Sequence, residues 1–231
     1  MAIGCIWDGT ISRKEFYASA KALIDQWKQT YPVLLLLPSW TWVSCPRSFG
    51  IASGEEEGYL CLERFSCSTS IQGACDEVVG EEDLTCSTTE ELNDDNTLVH
   101  NNGQDLHFYD LHIVYSTSYR VPMLYFRGYQ SDGQPLASDD IEKDLPYHSS
   151  KMLKDSRWTF MTIEEHPYLN RPWHVLHPCG TSEWMKFLLI GNACGPEHGD
   201  IIDQYLLSWL SVSGQAVGLR VPLELFKKTC S

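Results

Sequence analysis

Apolar residues recur at helical spacing near the start of the chain. Phe16, Ala20, Leu23, Ile24 and Trp27 form one stripe over residues 12–30. Ser12 followed three residues later by Glu15 predicts a capping box, in which each side chain satisfies a backbone N–H at the helix start. Pro32 and Pro38 then bracket an apolar run at 33–37 that is too short to cross a membrane. Alternating β-favouring residues predict strands at 40–43 and 59–65. Residues 108–116 and 119–129 are rich in β-branched and aromatic side chains, with only Thr117 and Ser118 between them, so they read as an antiparallel hairpin. Asp132-Gly133 marks a turn. A short helix is expected at 136–145 with Ser138 as its N-cap, and a further central strand at 158–163. Two helices follow, at 181–189 and 201–210. The second places Ile201, Ile202, Tyr205, Leu206 and Trp209 on one face. Residues 217–226 carry no single period. This order predicts an α+β fold, with an antiparallel sheet and helices packed on one of its faces.

The segment 66–105 interrupts that pattern. It is polar and acidic, and no Lys or Arg occurs from Phe65 to Tyr119. Too few apolar groups are present to offset the entropy of ordering, which predicts a disordered acidic insertion, either an inert loop or a docking segment for a basic partner. A chain of 231 residues supports one elaborated domain over 1–231. Its formal charge of −14 argues against nucleic acid and anionic membrane as partners. No uninterrupted apolar stretch is long enough for stable membrane insertion. Met1-Ala2-Ile3-Gly4-Cys5 is not a secretory signal, and Ala2 excludes N-myristoylation. With 9 cysteines, an odd number, free thiols and a cytoplasmic location are expected.

One of those cysteines stands apart. Cys179 follows Trp173-His174-Val175-Leu176 and a His177-Pro178 turn, and it precedes Gly180, Thr181, Ser182 and Glu183, a credible helix start. A thiol there meets unsatisfied N–H groups and the positive end of a helix dipole, which favour the nucleophilic thiolate. Three other readings stay open on the residues alone. A cysteine hydrolase would take a base from His166, His174 or His177, but neither the papain-type nor the caspase motif is present. A zinc site could draw on His174, His177, Cys179, Cys194 and His198, although no Cys-x-x-Cys pair exists. The third is a buried, inert cysteine packed as a small hydrophobe.

The run His177-Pro178-Cys179-Gly180-Thr181 resembles the active-site motif of the autophagy E2-like conjugating enzymes. The hairpin Tyr109-Asp110-Leu111-His112-Ile113-Val114-Tyr115-Ser116-Thr117-Ser118-Tyr119-Arg120-Val121-Pro122 resembles that family's central strands. Thr162-Ile163-Glu164-Glu165-His166-Pro167 resembles the strand and turn that lead to the site. The hairpin and the short chain resemble the protein-directed branch of the family. What the resemblance implies is an E2-like fold in which Cys179 takes a ubiquitin-like modifier from an E1-like activating enzyme as a thioester. The modifier then passes to a lysine of an acceptor protein. His177 and Thr181 would support the cysteine, and Tyr115 and Tyr119 would border it from the hairpin. Because the E1 consumes the ATP, no cofactor and no metal are implied. The lipid-directed branch, which transfers to phosphatidylethanolamine, and a catalytically silent E2-fold scaffold are the alternatives. Where ordinary ubiquitin E2 enzymes carry His-Pro-Asn, whose Asn supports the oxyanion, this chain has His166-Pro167-Tyr168, with Asn170 as a conceivable substitute.

Overall fold

A computed structural model describes residues 7–30, 38–45, 55–66, 106–190 and 198–226, with the side chains of 156–159, Ile190 and His198 outside the description. The apolar run at 33–37, nearly all of the acidic insertion and Cys194 lie outside the described residues.

Helix α1 spans Arg13–Thr30. Its capping box forms as expected: the Ser12 N–H donates to Glu15 Oε2 at 2.6 Å, and the Glu15 N–H donates to Ser12 Oγ at 3.3 Å. Phe16, Ala20, Leu23, Ile24 and Trp27 are all buried, so the stripe is a packing face.

Strands β1 (Thr41–Ser44), β2 (Gly58–Ser66), β3 (Phe108–Ser116), β4 (Val121–Tyr129), β5 (Met161–Glu165) and β6 (Pro172–Leu176) form a six-stranded sheet in the order β1-β2-β3-β4-β6-β5. Every pairing is antiparallel. The β3–β4 hairpin runs in continuous register from Phe108↔Tyr129 to Ser116↔Val121. Its loop therefore covers 117–120 and not Thr117 and Ser118 alone. Arg120 closes it in the left-handed region at φ 56°, with its N–H on the Ser116 carbonyl at 2.8 Å. The longer loop supplies the positive φ that a two-residue turn without Gly or Asn does not.

Alternation along the strands separates two cores. Tyr109, Leu111, Ile113, Leu124 and Phe126 face the helices together with Phe16, Leu23, Tyr205, Leu206 and Leu210. On the other face, Tyr59, Cys61, Val114, Met123, Tyr125, Trp173 and Val175 form a smaller layer, packed by Tyr168 and Leu169 from the turn after β5. The helices thus lie on one face, as the sequence order predicts. Helix α5 (His198–Ser213) packs along α1, where the Leu206 N–H donates to the buried Ser19 Oγ at 2.9 Å.

Two further local expectations are corrected. Helix α2 (Ser138–Asp144) is capped by Ala137, with no side-chain hydrogen bond. Ser138 is its first helical residue, and its Oγ lies 3.5 Å from His174 Nε2 instead. Residues 158–160 belong to helix α3 (Tyr147–Phe160), and the strand begins only at Met161. Trp, Thr and Phe favour strands, but that preference is weak beside a helix already anchored by the buried Leu153. Residues 217–226 form neither helix nor strand throughout. Two 3-10 turns, Gly214–Val217 and Leu223–Phe226, fold this end back, with Leu225 buried. Among the described residues, no helix is long and apolar enough to cross a membrane.

Candidate active site

Strand β6 delivers the chain to the site. It pairs with β5 along its length and with β4 at Tyr125↔Val175 and Phe126↔His174, which fixes its direction. Trp173 and Val175 are buried, and the His177 N–H donates to the Phe160 carbonyl at 3.0 Å. The chain then turns through Pro178, Cys179 and Gly180 into helix α4 (Thr181–Ile190). Gly180 sits at φ 70°, a conformation that costs side-chain-bearing residues about 1 kcal/mol or more, while nothing lies near its missing Cβ. Glycine is needed there for its backbone and not for space. The Gly180 carbonyl accepts the Trp184 N–H at 3.1 Å, opening α4. Thr181 is the first helical residue, buried, with its N–H on the Pro178 carbonyl at 3.1 Å. Its backbone frames the turn.

Cys179 is exposed at the head of α4, so the reading of a buried, inert thiol does not hold. Its N–H donates to His177 Nδ1 at 3.2 Å, and its Sγ lies 3.8 Å from His177 Nε2. Accepting at Nδ1 assigns the ring proton to Nε2, an assignment that follows from the hydrogen-bond pattern. In that tautomer His177 offers an N–H to the sulfur. An N–H in that position would favour a thiolate over a thiol.

The other histidines near in sequence are placed elsewhere. His174 packs over Phe126, ring centroids 5.4 Å apart, away from Cys179. His166 is fully buried on the open face, where its Nε2 meets His112 Nδ1 at 3.0 Å and His112 Nε2 meets Cys61 Sγ at 3.2 Å. The Tyr168 N–H donates to His166 Nδ1 at 3.3 Å. One proton per ring satisfies the whole chain: His166 Nε2–H donates to His112, and His112 Nε2–H donates to Cys61. Burial, reinforced by the neighbouring His166 and Arg171, pushes His112 down to about 3, and burial with Arg171 pushes His166 down to about 4. Burial, with Glu63 and Asp110 nearby, pushes the Cys61 thiol up to about 12. Both rings are neutral and structural, and Cys61 is not a nucleophile. Among the described residues, no group of three or more His, Cys, Asp or Glu side chains is arranged to hold a metal.

The hairpin residues divide. The Tyr115 hydroxyl donates to the Ile11 carbonyl at 2.8 Å and its ring packs on Phe16 at 5.6 Å, so it is committed to the frame. Tyr119 is half exposed, and its ring stands 6.2 Å from His177, edge to face. Asn170 takes φ 51° in the turn after β5, where its N–H donates to the His166 carbonyl at 3.0 Å. It lines neither cavity at the site. Two cavities flank the cysteine. A groove of about 1450 Å³ contains Cys179 and Thr181 and runs between α3 and the C-terminal turn, past Met152, Val212, Leu223 and Phe226. A smaller cavity of about 460 Å³ opens on the other side, and His177 lines both. Tyr168 borders the smaller one. It is held by a network absent from any local motif: its hydroxyl donates to Glu57 Oε1 at 3.0 Å, while Arg13 pairs with Glu57 Oε2 at 3.0 Å.

Residues 15–224 match the family described as autophagocytosis associated protein, active-site domain. The Arabidopsis thaliana protein named ubiquitin-like-conjugating enzyme ATG10 is 44% identical over 225 residues, covering 94% of this chain and 96% of that protein. The human protein of the same name is 40% identical over 121 residues, 52% of this chain and 53% of its own. Autophagy-related protein 3 of Pichia angusta is 35% identical over 111 residues, 48% of this chain and 31% of its own. A solved structure, the autophagic E2 Atg10, aligns with a TM-score of 0.46 at 17% identity, covering 90% of this chain and 98% of that one. On the family match and the near full-length relative, the chain belongs to the autophagocytosis-associated active-site family, the E2-like conjugating enzymes of autophagy.

Proposed function

We propose that Cys179 accepts the C-terminal glycine of a ubiquitin-like modifier from an E1-like enzyme as a thioester and passes it to a lysine of an acceptor protein. The observation that carries this reading is the exposed Cys179 sulfur at the head of α4, faced by His177 Nε2 at 3.8 Å. The Cys179 thiolate attacks the carbonyl of the modifier's thioester to the E1-like enzyme. The new C–S bond forms as the old one breaks, and the E1 sulfur leaves as thiolate. The acceptor's uncharged amine then attacks the Cys179 thioester carbonyl. The C–N bond forms as the C–S bond breaks. The sulfur leaves as thiolate, supported by the His177 N–H, and the proton displaced from nitrogen passes to water. Thr181 and Tyr115 hold the frame, Tyr119 borders the site, and no cofactor or metal takes part. The chain acts as one domain, in the cytoplasm.

A protein acceptor is favoured over phosphatidylethanolamine by the fate of α1. Its apolar stripe is spent against the sheet and α5, which leaves no amphipathic face to lay into a bilayer. The near full-length Arabidopsis relative carries the ubiquitin-like-conjugating name, which supports the same chemistry. The test offers the charged protein both a candidate acceptor protein and phosphatidylethanolamine vesicles. The expected product is an isopeptide-linked protein conjugate found by peptide mass spectrometry. A lipid-linked modifier with no protein conjugate would replace this reading by the lipid-directed one.

A further inference from the structure

The smaller cavity is built differently from the groove that holds Cys179. Its walls come from the hairpin tip at Tyr119, from β4 at Tyr125, and from the β5–β6 segment at Glu164 and Tyr168, closing on His177 and Pro178. About 460 Å³ is a small-molecule scale, room for one side chain or one headgroup and not for a protein surface. Four tyrosines, Tyr115, Tyr119, Tyr125 and Tyr168, contribute to the walls, and Glu164 is their one acid. Its Oε1 accepts the Thr162 hydroxyl at 2.9 Å, which steadies the carboxylate on β5. Among the described residues, no Lys or Arg pairs with Glu164. The one basic wall residue, Arg13, is committed to Glu57 at 3.0 Å and lies 5.2 Å over the Tyr115 ring. Glu164 is itself exposed on β5, so its carboxylate is reachable from outside. Beyond the effect of its burial, the Tyr125 hydroxyl is raised further by that same carboxylate.

We propose that this cavity is the subsite for the acceptor amine, a primary alkylammonium held by the Glu164 carboxylate and the faces of the surrounding tyrosines. The inference rests on the reading of Cys179 as the thioester carrier. Aromatic faces with one carboxylate are the chemistry that recognises an ammonium, through ring quadrupoles and a charge-assisted hydrogen bond. His177 lines both this cavity and the groove that contains Cys179, so an amine entering here arrives beside the residue that faces the Cys179 sulfur. The bound ammonium gives one proton to water and attacks as the amine. The C–N bond forms, the C–S bond breaks, Cys179 leaves as thiolate, and the nitrogen's second surplus proton follows to water. Glu164 keeps its charge throughout and acts by holding the nucleophile in place. A lysine side chain and an ethanolamine headgroup share this chemistry.

The test compares wild type, Glu164→Gln and Glu164→Asp after charging by the E1-like enzyme. Each thioester is discharged onto Nα-acetyl-lysine, onto phosphatidylethanolamine vesicles and onto hydroxylamine, a small nucleophile uncharged at neutral pH. Glu164→Gln is expected to charge normally and to discharge onto hydroxylamine at the wild-type rate. Its KM for Nα-acetyl-lysine is expected to rise about threefold to tenfold, the range for a charge-assisted contact at a partly open site, with partial rescue in Glu164→Asp. Discharge onto vesicles alone, slowed by the same variant, would assign the ammonium to the lipid headgroup. An unchanged lysine reaction, or an equal loss with hydroxylamine, overturns the subsite. A wild type that does not charge would fail the thioester reading instead. The subsite then stands or falls on butylammonium, which must shift the NMR signals of Tyr119 and Glu164 in wild type and leave Glu164→Gln unaffected at the same concentrations.

Discussion

Acidification from pH 7 to pH 5 is expected to remove about 3 to 4 kcal/mol of folding stability through His112 and His166 alone. Both are nearly or fully buried, and their protons are used up in a single-file network ending at Cys61. Adding a proton to either ring would place two N–H donors face to face. In the unfolded chain each ring titrates near 6.5, while in the fold they sit at about 3 and about 4. The unfolded state therefore binds more protons as pH falls below 6.5, so stability is complete above that value and declines below it. At pH 5 each ring contributes roughly 2 kcal/mol of that decline, and at pH 7 only a few tenths. The loss is a large part of the 5–15 kcal/mol typical of a whole domain. Carboxylates add little in this window, since their unfolded values lie near 4. Urea denaturation at the two pH values measures the difference directly. His166→Gln, whose amide can still accept the Tyr168 N–H and donate to His112, is expected to lose about half of the pH dependence. A free energy that is flat or rising from pH 7 to pH 5, or an identical slope in the variant, would refute the neutral-pair reasoning.

Two further outcomes concern the frame of the site. Gly9 lies at φ 85°, and a Cβ there would fall 1.8 Å from the Ser182 carbonyl in the first turn of α4. Gly9→Ala is expected to destabilise the fold by about 1–3 kcal/mol and to lower the yield of charged protein, read by thermal melting and a gel assay together. Leu124 is fully buried in the helix-side core, so Leu124→Ala should lose about 2–5 kcal/mol in urea denaturation while leaving the residual folded fraction able to charge.

The features legible in the sequence are those written in contiguous residues. The capping box of Ser12 and Glu15, the buried stripe of α1 and the turn around Cys179 each depend on neighbours a few positions apart, and each formed as read. The hairpin was visible because period-2 alternation persists on both sides of its loop, but the loop's length depended on pairing register, which alternation leaves open. Helix α3 was missed because Trp158, Thr159 and Phe160 carry strand preference and tertiary packing set the boundary at Met161. Strand β6 was not read as one, being short, led by Pro172 and followed by Pro178. The histidine pair joins residues 54 positions apart, and the Tyr168–Glu57 contact joins residues 111 apart. No local pattern announces such pairs. Glu164 reads as one more polar position on a strand until the fold sets it among tyrosines near His177.

The most direct measurement is a charging assay with the E1-like enzyme, the ubiquitin-like modifier and ATP, run with and without reductant on wild type, Cys179→Ser and Cys179→Ala. Wild type is expected to form an adduct that reductant removes, Cys179→Ser an adduct that reductant leaves intact, and Cys179→Ala none. Absence of any adduct on wild type while the E1-like enzyme is visibly charged, or an adduct that persists in Cys179→Ala, would contradict Cys179 as the carrier.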